Sequence, residues 1–259
     1  DACLSSCLAA TCGDGLLYQG FEECDDGNQD PADGCDNACI RDRLVFVTNK
    51  ELTPNWIVGL DGADLECRKQ ALAAGLDAPN NKFMAWISDS NTSPADRFWR
   101  STGRYVLITG EVVADNWDDL TDGTLDHGID RNPDGALFYE RPVWTATHPD
   151  GTSFDDGNFC QSWSTNDADL QSRIGLSGYT DTWWTDLDGI LTGCGAGAAL
   201  YCFEQFKWEQ PSSRRPPRSH HGKHAHLTLE ARARHAPRHR LPRRRPTRET
   251  HLRHRGQRH

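Results

Sequence analysis

The densest chemistry in the chain is EECDDGNQDPADGC, residues 22–35, where carboxylates crowd around Cys24 and Cys35. Calcium takes several oxygen ligands in flexible geometry, so Asp25, Asp26, Asn28, Asp30 and Asp33 form a candidate calcium loop. Asp26, Asn28 and Asp30 match the first, third and fifth positions of an EF-hand loop. The match then fails: Pro31 stands where a sharp turn needs Gly, and Asn37 where a bidentate carboxylate belongs. Turn-forming Asp and Asn residues held between disulfides account for the same letters without a metal.

A second acidic segment, ADNWDDLTDGTLDHGIDRNPDG, covers residues 114–135 and offers either a cation site or solvated loops. Nucleophilic catalysis finds little to work with. Ser177 lies in GLSGY, which lacks the glycine spacing of a nucleophile elbow, and only His127 and His148 precede the C-terminal segment as bases. Close carboxylate pairs are abundant, but with 36 acidic residues in the first 210 they arise by chance. All ten cysteines are read as disulfide partners, which leaves no reactive thiol, and the expectation is a protein that is not an enzyme.

Charge divides the chain. Residues 1–210 hold 13 Lys+Arg against 36 Asp+Glu, a net of −23, while residues 211–259 hold 15 against 2, a net of +13. The acidic part should repel nucleic acid and sulfated glycans. The basic segment, 208–259, carries nine of the eleven histidines and cannot bury enough surface to fold alone. It is suited to polyanions, or to a metal through HHGKHAH. Its mix of Arg, Pro, His and Ala also fits a GC-rich gene read out of frame, so 208–259 is expected to be disordered or a frameshift product.

Cysteine usage points to an oxidising compartment, and no apolar run is long enough to cross a bilayer. The expected location is secreted, extracellular or at the cell surface. The chain starts at Asp1 with no signal peptide, as a mature form or an excised fragment would.

Several elements are legible. LVFVT reads as a strand, and GLDGADLECRKQALAAGL as a helix with Asp61 as N-cap and Gly75 as its stop. Ala63, Cys67, Ala71 and Ala74 line one face of that helix with small side chains, which lets a strand approach closely. Short apolar runs (FMAWIS, RYVLITGEVV, LFYERPVWTAT, AALYCFEQF) then alternate with loops rich in Asp, Gly, Asn and Thr. The fold class this implies is α+β, with short antiparallel strands, one main helix and long loops. Most of the eight tryptophans between Trp56 and Trp184 are expected in the core.

Residues 1–40 contain a repeat. Asp1-Ala2-Cys3-Leu4-Ser5-Ser6-Cys7 and Asp33-Gly34-Cys35-Asp36-Asn37-Ala38-Cys39 share the spacing D-x-C-x-x-x-C, so the chain is read as beginning inside an array. CGDGLLYQGFEECDDGNQDPADGCDNAC resembles the four-cysteine disulfide repeat of myxobacterial surface and secreted proteins. That resemblance implies an extracellular spacer or adhesive module. Four cysteines allow three pairings, and the sequence does not choose among them.

A second resemblance runs from about Leu44 to Phe206. GADLEC, FMAWISDS, VVADNWDDLTDG, VWTATHPDGT, FCQSWS and LYCFE follow the order and spacing of the endostatin-like domain of certain collagens and of a bacterial family of uncharacterised secreted domains, both of C-type-lectin-like fold. It implies a nested disulfide pair, Cys67 with Cys202 and Cys160 with Cys194. Lectins of this fold hold calcium and sugar through tripeptides that Asn132-Pro133-Asp134 and Trp163-Ser164-Thr165-Asn166-Asp167 do not match. The heparan-sulfate and zinc sites of collagen endostatins do not carry over either, because the domain is acidic and no histidine lies near its first strand.

The sequence thus predicts a disulfide repeat at 1–40, an endostatin-like domain at 41–207 and the basic segment at 208–259. The expected function is a non-enzymatic binding, adhesion or structural module whose partner is an extracellular protein or glycan. The alternative is a calcium-dependent glycan binder. Calcium is the one cofactor entertained.

Overall fold

In strand β1 (Arg43–Val47), Val45, Phe46 and Val47 are all fully buried, which a strand achieves only when both faces of its sheet are covered. Phe46 points into one hydrophobic cluster, and Val45 and Val47 into another. The coordinates are a computed structural model, and the structure describes residues 11–76 and 82–206. These residues belong to one compact unit, Asp1–Arg214; a second unit, Arg215–His259, lies outside them, as do Cys3, Cys7 and the basic segment.

Among the described residues, eight strands form two sheets. The larger places β2 (Lys82–Ala85), β8 (Tyr201–Gln205), β1, β3 (Tyr105–Leu107) and β4 (Val112–Ala114) in that order. The smaller runs β5 (Pro142–Trp144), β6 (Gln171–Leu176), β7 (Leu191–Gly193). Pairing is antiparallel except between β1 and β3, where Arg43 sits opposite Tyr105 and Val45 opposite Leu107 in parallel register. The larger sheet is therefore mixed where uniform antiparallel pairing was expected. The long crossover between β1 and β3, which contains the main helix, is what a parallel pair requires.

Among the described residues, two helices lie between β1 and β2. They are the single turn α1 (Pro54–Ile57) and α2 (Gly59–Ala73), the latter burying Ala63, Cys67 and Ala71 against the cluster that holds Phe46 and Phe83. The N-cap of α2 is Val58, in left-handed conformation at φ 58°, and not Asp61, which sits exposed in the first turn. The back-to-back arrangement of α1 and α2 forces that corner. At the other end the reading of Gly75 holds: at φ 76° its amide donates to Leu72 O and that of Leu76 to Ala71 O, a Schellman stop. Two further single turns, α3 (Pro94–Arg97) and α4 (Trp117–Leu120), flank the second cluster. The class is a mixed α+β fold, mostly strand with few helices.

Four disulfides staple the described residues. Cys67 on α2 joins Cys202 on β8, with Cα atoms 5.4 Å apart, and Cys160 joins Cys194 at 5.6 Å. In the repeat, Cys12 pairs with Cys39 around an inner pair, Cys24 with Cys35, which selects one of the three possible connectivities. The repeat is also fixed to the sheet by charge. Arg43 is almost fully buried in β1 and its Nη2 donates to Glu23 of the repeat at 2.6 Å. Arg41 pairs with Glu204 of β8, and the Arg41 and Arg43 guanidiniums both lie over the Phe206 ring.

Candidate functional site

The acidic loop turns out to be occupied by its own backbone. Asp25 accepts from Gly13 N (3.1 Å) and Asp14 N (3.2 Å) on one oxygen, and from Gly15 N (2.7 Å) and Gly27 N (2.9 Å) on the other. Desolvation works to raise its pKa, but the four amides together prevail and hold it below the ordinary carboxylate range. Asp26, Asn28 and Asp30 each cap the amide two residues on, at 3.2, 2.5 and 3.0 Å. Of the five candidate ligands, Asp26, Asn28 and Asp33 are brought together: Asn28 Nδ2 donates to Asp33 at 2.9 Å. A hydrogen bond to Asp33 raises the pKa of Asp26, and the Asn28 amide, followed by Asp26, lowers that of Asp33. Asp25 and Asp30 are thus engaged as turn acceptors, while Asp26, Asn28 and Asp33 are linked to one another between Cys24 and Cys35.

The same device recurs along the chain. Asp122, Asn132, Asp150, Asp156, Asp167 and Asp181 each accept from the amide two residues later. Much of the acidic excess is therefore turn chemistry. Asn132 of Asn132-Pro133-Asp134 spends its side-chain oxygen on the amides of Asp134 and Ala136. In the segment 114–135, Asp115, Asp119 and Asp126 do converge, with one oxygen of each within 4.8 Å of the others, while Asp119 also accepts from Asp115 N. Glu22, Asp25 and Cys39 are equally close, but the Cys39 sulfur is in a disulfide and offers no thiolate. Ser177 is fully buried, donating to Phe138 O and accepting from Arg141 N, so it is a structural hydroxyl. His127 is bonded to Gly128 O, and His148 lies tilted against the Phe154 ring.

A different surface stands out. Tyr139, Tyr179 and Trp183 form a contiguous run of rings: Tyr139 and Tyr179 are nearly parallel with centroids 6.1 Å apart, and Tyr179 and Trp183 lie at 5.6 Å. Tyr139 is 51 % exposed and Trp183 37 %, Tyr179 is half-buried against the inner cluster, and Leu137, two residues before Tyr139, is exposed. The rings are borne by two loops, 137–141 and 177–183, that are tied to each other. Glu140 N donates to Ser177 O (2.9 Å), Arg141 N to Ser177 Oγ (2.9 Å) and Ser177 N to Arg141 O (2.9 Å). Gly178, at φ 86°, is the seat of the Tyr139 ring: a Cβ there would stand 2.2 Å from Tyr139 Cδ2. Glu140 is held at φ 55°, a left-handed conformation that costs a non-glycine residue about 1 kcal/mol or more. Its carboxylate accepts from the Tyr179 hydroxyl at 3.3 Å. The Tyr179 pKa is raised, first by desolvation and then by Glu140, Tyr139 and Asp181, so the rings lie in a negative field.

Sequence reasoning expected most of the eight tryptophans in the core, which holds, but it did not single out which would be exposed and so missed this surface. Trp86, Trp117, Trp144, Trp163 and Trp184 do lie there, but Trp56, Trp99 and Trp183 do not. The adjacent pair Trp183-Trp184 carries the lesson. In the single-turn 3-10 helix Thr182–Trp184 two successive side chains leave in different directions, one to solvent and one into the cluster around Trp86 and Tyr201. The remaining signal was the aromatic and acidic spacing of Tyr139-Glu140 and Tyr179-Thr180-Asp181-Thr182-Trp183, which lacked a structural frame to join the two segments.

The N-terminal residues have a counterpart among known protein families. Residues 1–40 match a family described as a domain of unknown function (DUF4215), and with the nested pairs Cys12–Cys39 and Cys24–Cys35 they are a cysteine-rich repeat.

Proposed function

We propose that the chain is a secreted or cell-surface binding module without enzymatic activity, in which the disulfide repeat is a spacer and the mixed α+β body carries the ligand surface. The observation that carries this reading is the ring run Tyr139, Tyr179 and Trp183, its two outer members exposed, on two mutually bonded loops. Aromatic rings left in solvent on a rigid frame are what binding surfaces use, because they bring large contact area at little conformational cost. Four disulfides suit an oxidising compartment, and no helix among the described residues is long and apolar enough to cross a membrane.

The body is read as endostatin-like and C-type-lectin-like. The pairs Cys67–Cys202 and Cys160–Cys194, together with β8 lying beside β1, support that assignment. A calcium-dependent glycan binder is the second reading, favoured by the convergence of Asp115, Asp119 and Asp126. The two separate on an array of immobilised peptides and glycans probed with the full chain, with and without EDTA. The first reading predicts a set of ligands retained in EDTA. Binding abolished by EDTA would move the function to calcium, and binding to neither class would remove the proposal.

A further inference from the structure

Resting on that reading, we propose that the surface of Tyr139, Tyr179 and Trp183 receives an arginine-bearing basic segment of a partner polypeptide. The electron-rich faces of the exposed Tyr139 and Trp183 rings attract a cation, and the carboxylates of Glu140 and Asp181 flank the run that Tyr179 joins. The wider field has the same sign, since residues 1–210 carry a net charge of −23, which repels anionic ligands and draws cationic ones.

The molecule already uses this pairing repeatedly. Guanidiniums lie over rings at Arg41 and Arg43 with Phe206, Arg97 with Phe98, Arg100 with Trp117, Arg141 with Phe138 and Arg173 with Phe154. Among the described residues, no guanidinium of the chain itself is placed over Tyr139, Tyr179 or Trp183 in this way. The nearby Arg141 is engaged with Glu51 at 3.2 Å and with Phe138. A planar guanidinium from a partner can stack on the rings while its N–H groups reach the flanking carboxylates, which an ammonium does less well.

The test is fluorescence anisotropy of a labelled peptide of alternating arginine and serine added to the full chain. A glutamate–serine peptide and a neutral glucose oligosaccharide serve as comparison probes. The arginine peptide should bind, and Trp183→Ala should weaken it about fivefold. Glu140→Gln with Asp181→Asn, which keeps the Tyr179 bond and the helix cap, should weaken it by a similar factor. Asp118→Asn with Asp155→Asn removes the same charge elsewhere and should leave affinity within about twofold. Equal weakening by that distant pair would overturn the inference, because attraction would then be diffuse. So would failure of the peptide to bind. Trp183-dependent binding of the oligosaccharide alone would overturn it while leaving the surface as a binding site.

Discussion

At the scale of single residues, the buried polar groups are more constrained than the acidic surface. Arg97 Nη1 on α3 donates to both carboxylate oxygens of Asp64 on α2, each at 2.8 Å, and Asp64 also accepts from Ala85 N. This ties helix to sheet through groups shielded from water. Tyr105 shows what such burial does to titration. Desolvation pushes its phenol up to about 12, against smaller downward effects of the Ser101 amide and Arg43, and Tyr201 is raised too, by desolvation and then by Asp130. Below about pH 10 the Tyr105 phenol is protonated folded or unfolded, and its contribution is whole. Between about pH 10 and 12 the unfolded phenol ionises and the folded one does not, so unfolding releases a proton and stability falls. The slope is about 1.4 kcal/mol per pH unit for that one group. Denaturant midpoints measured across this window should therefore decline, and Tyr105→Phe should flatten the decline by about one proton. An unchanged slope would mean that Tyr105 titrates normally.

At the scale of elements, the staples and caps were partly legible before any fold was visible. Gly75 was readable because a Schellman stop needs a left-handed residue that glycine supplies freely. Val58 was not, since a β-branched residue at φ 58° leaves no mark in composition. The turn Cys160–Trp163 is the stronger case: four successive non-glycine residues have positive φ. The Cys160–Cys194 bond, the buried Trp163 and its hydrogen bond to Ser88 O hold it there. The parallel pairing of β1 with β3 was equally silent, because strand direction depends on connections and not on local pattern. The nested disulfides differ in what they constrain. Cys67–Cys202 spans 135 residues and Cys160–Cys194 spans 34. In the chain-entropy model their removal costs about 5 and about 4 kcal/mol respectively. Cys67→Ala with Cys202→Ala should accordingly lower the melting temperature more than Cys160→Ala with Cys194→Ala. The reverse order would show that the left-handed turn relies on its bond for more than loop closure.

At the scale of the whole molecule, charge and aromatic placement decide what the chain meets. The opposed charges of 1–210 and 211–259 were readable by counting, and the proposed basic partner complements the acidic part. The proposed ligand surface was not readable, because its rings come from segments some forty residues apart, joined only once Ser177 bonds the loop that carries Tyr139. Many carboxylates of the acidic loops accept from backbone amides in turns, and Trp183, one of the minority of tryptophans outside the core, became the informative residue. The central claim is that Trp183 faces solvent to meet a partner. It is tested most directly by measuring binding of Trp183→Ala to the ligands the full chain retains, with its melting temperature recorded on the same sample. The account predicts that binding falls about fivefold or more while melting shifts by only a few degrees. Unchanged binding in a folded Trp183→Ala protein would contradict it.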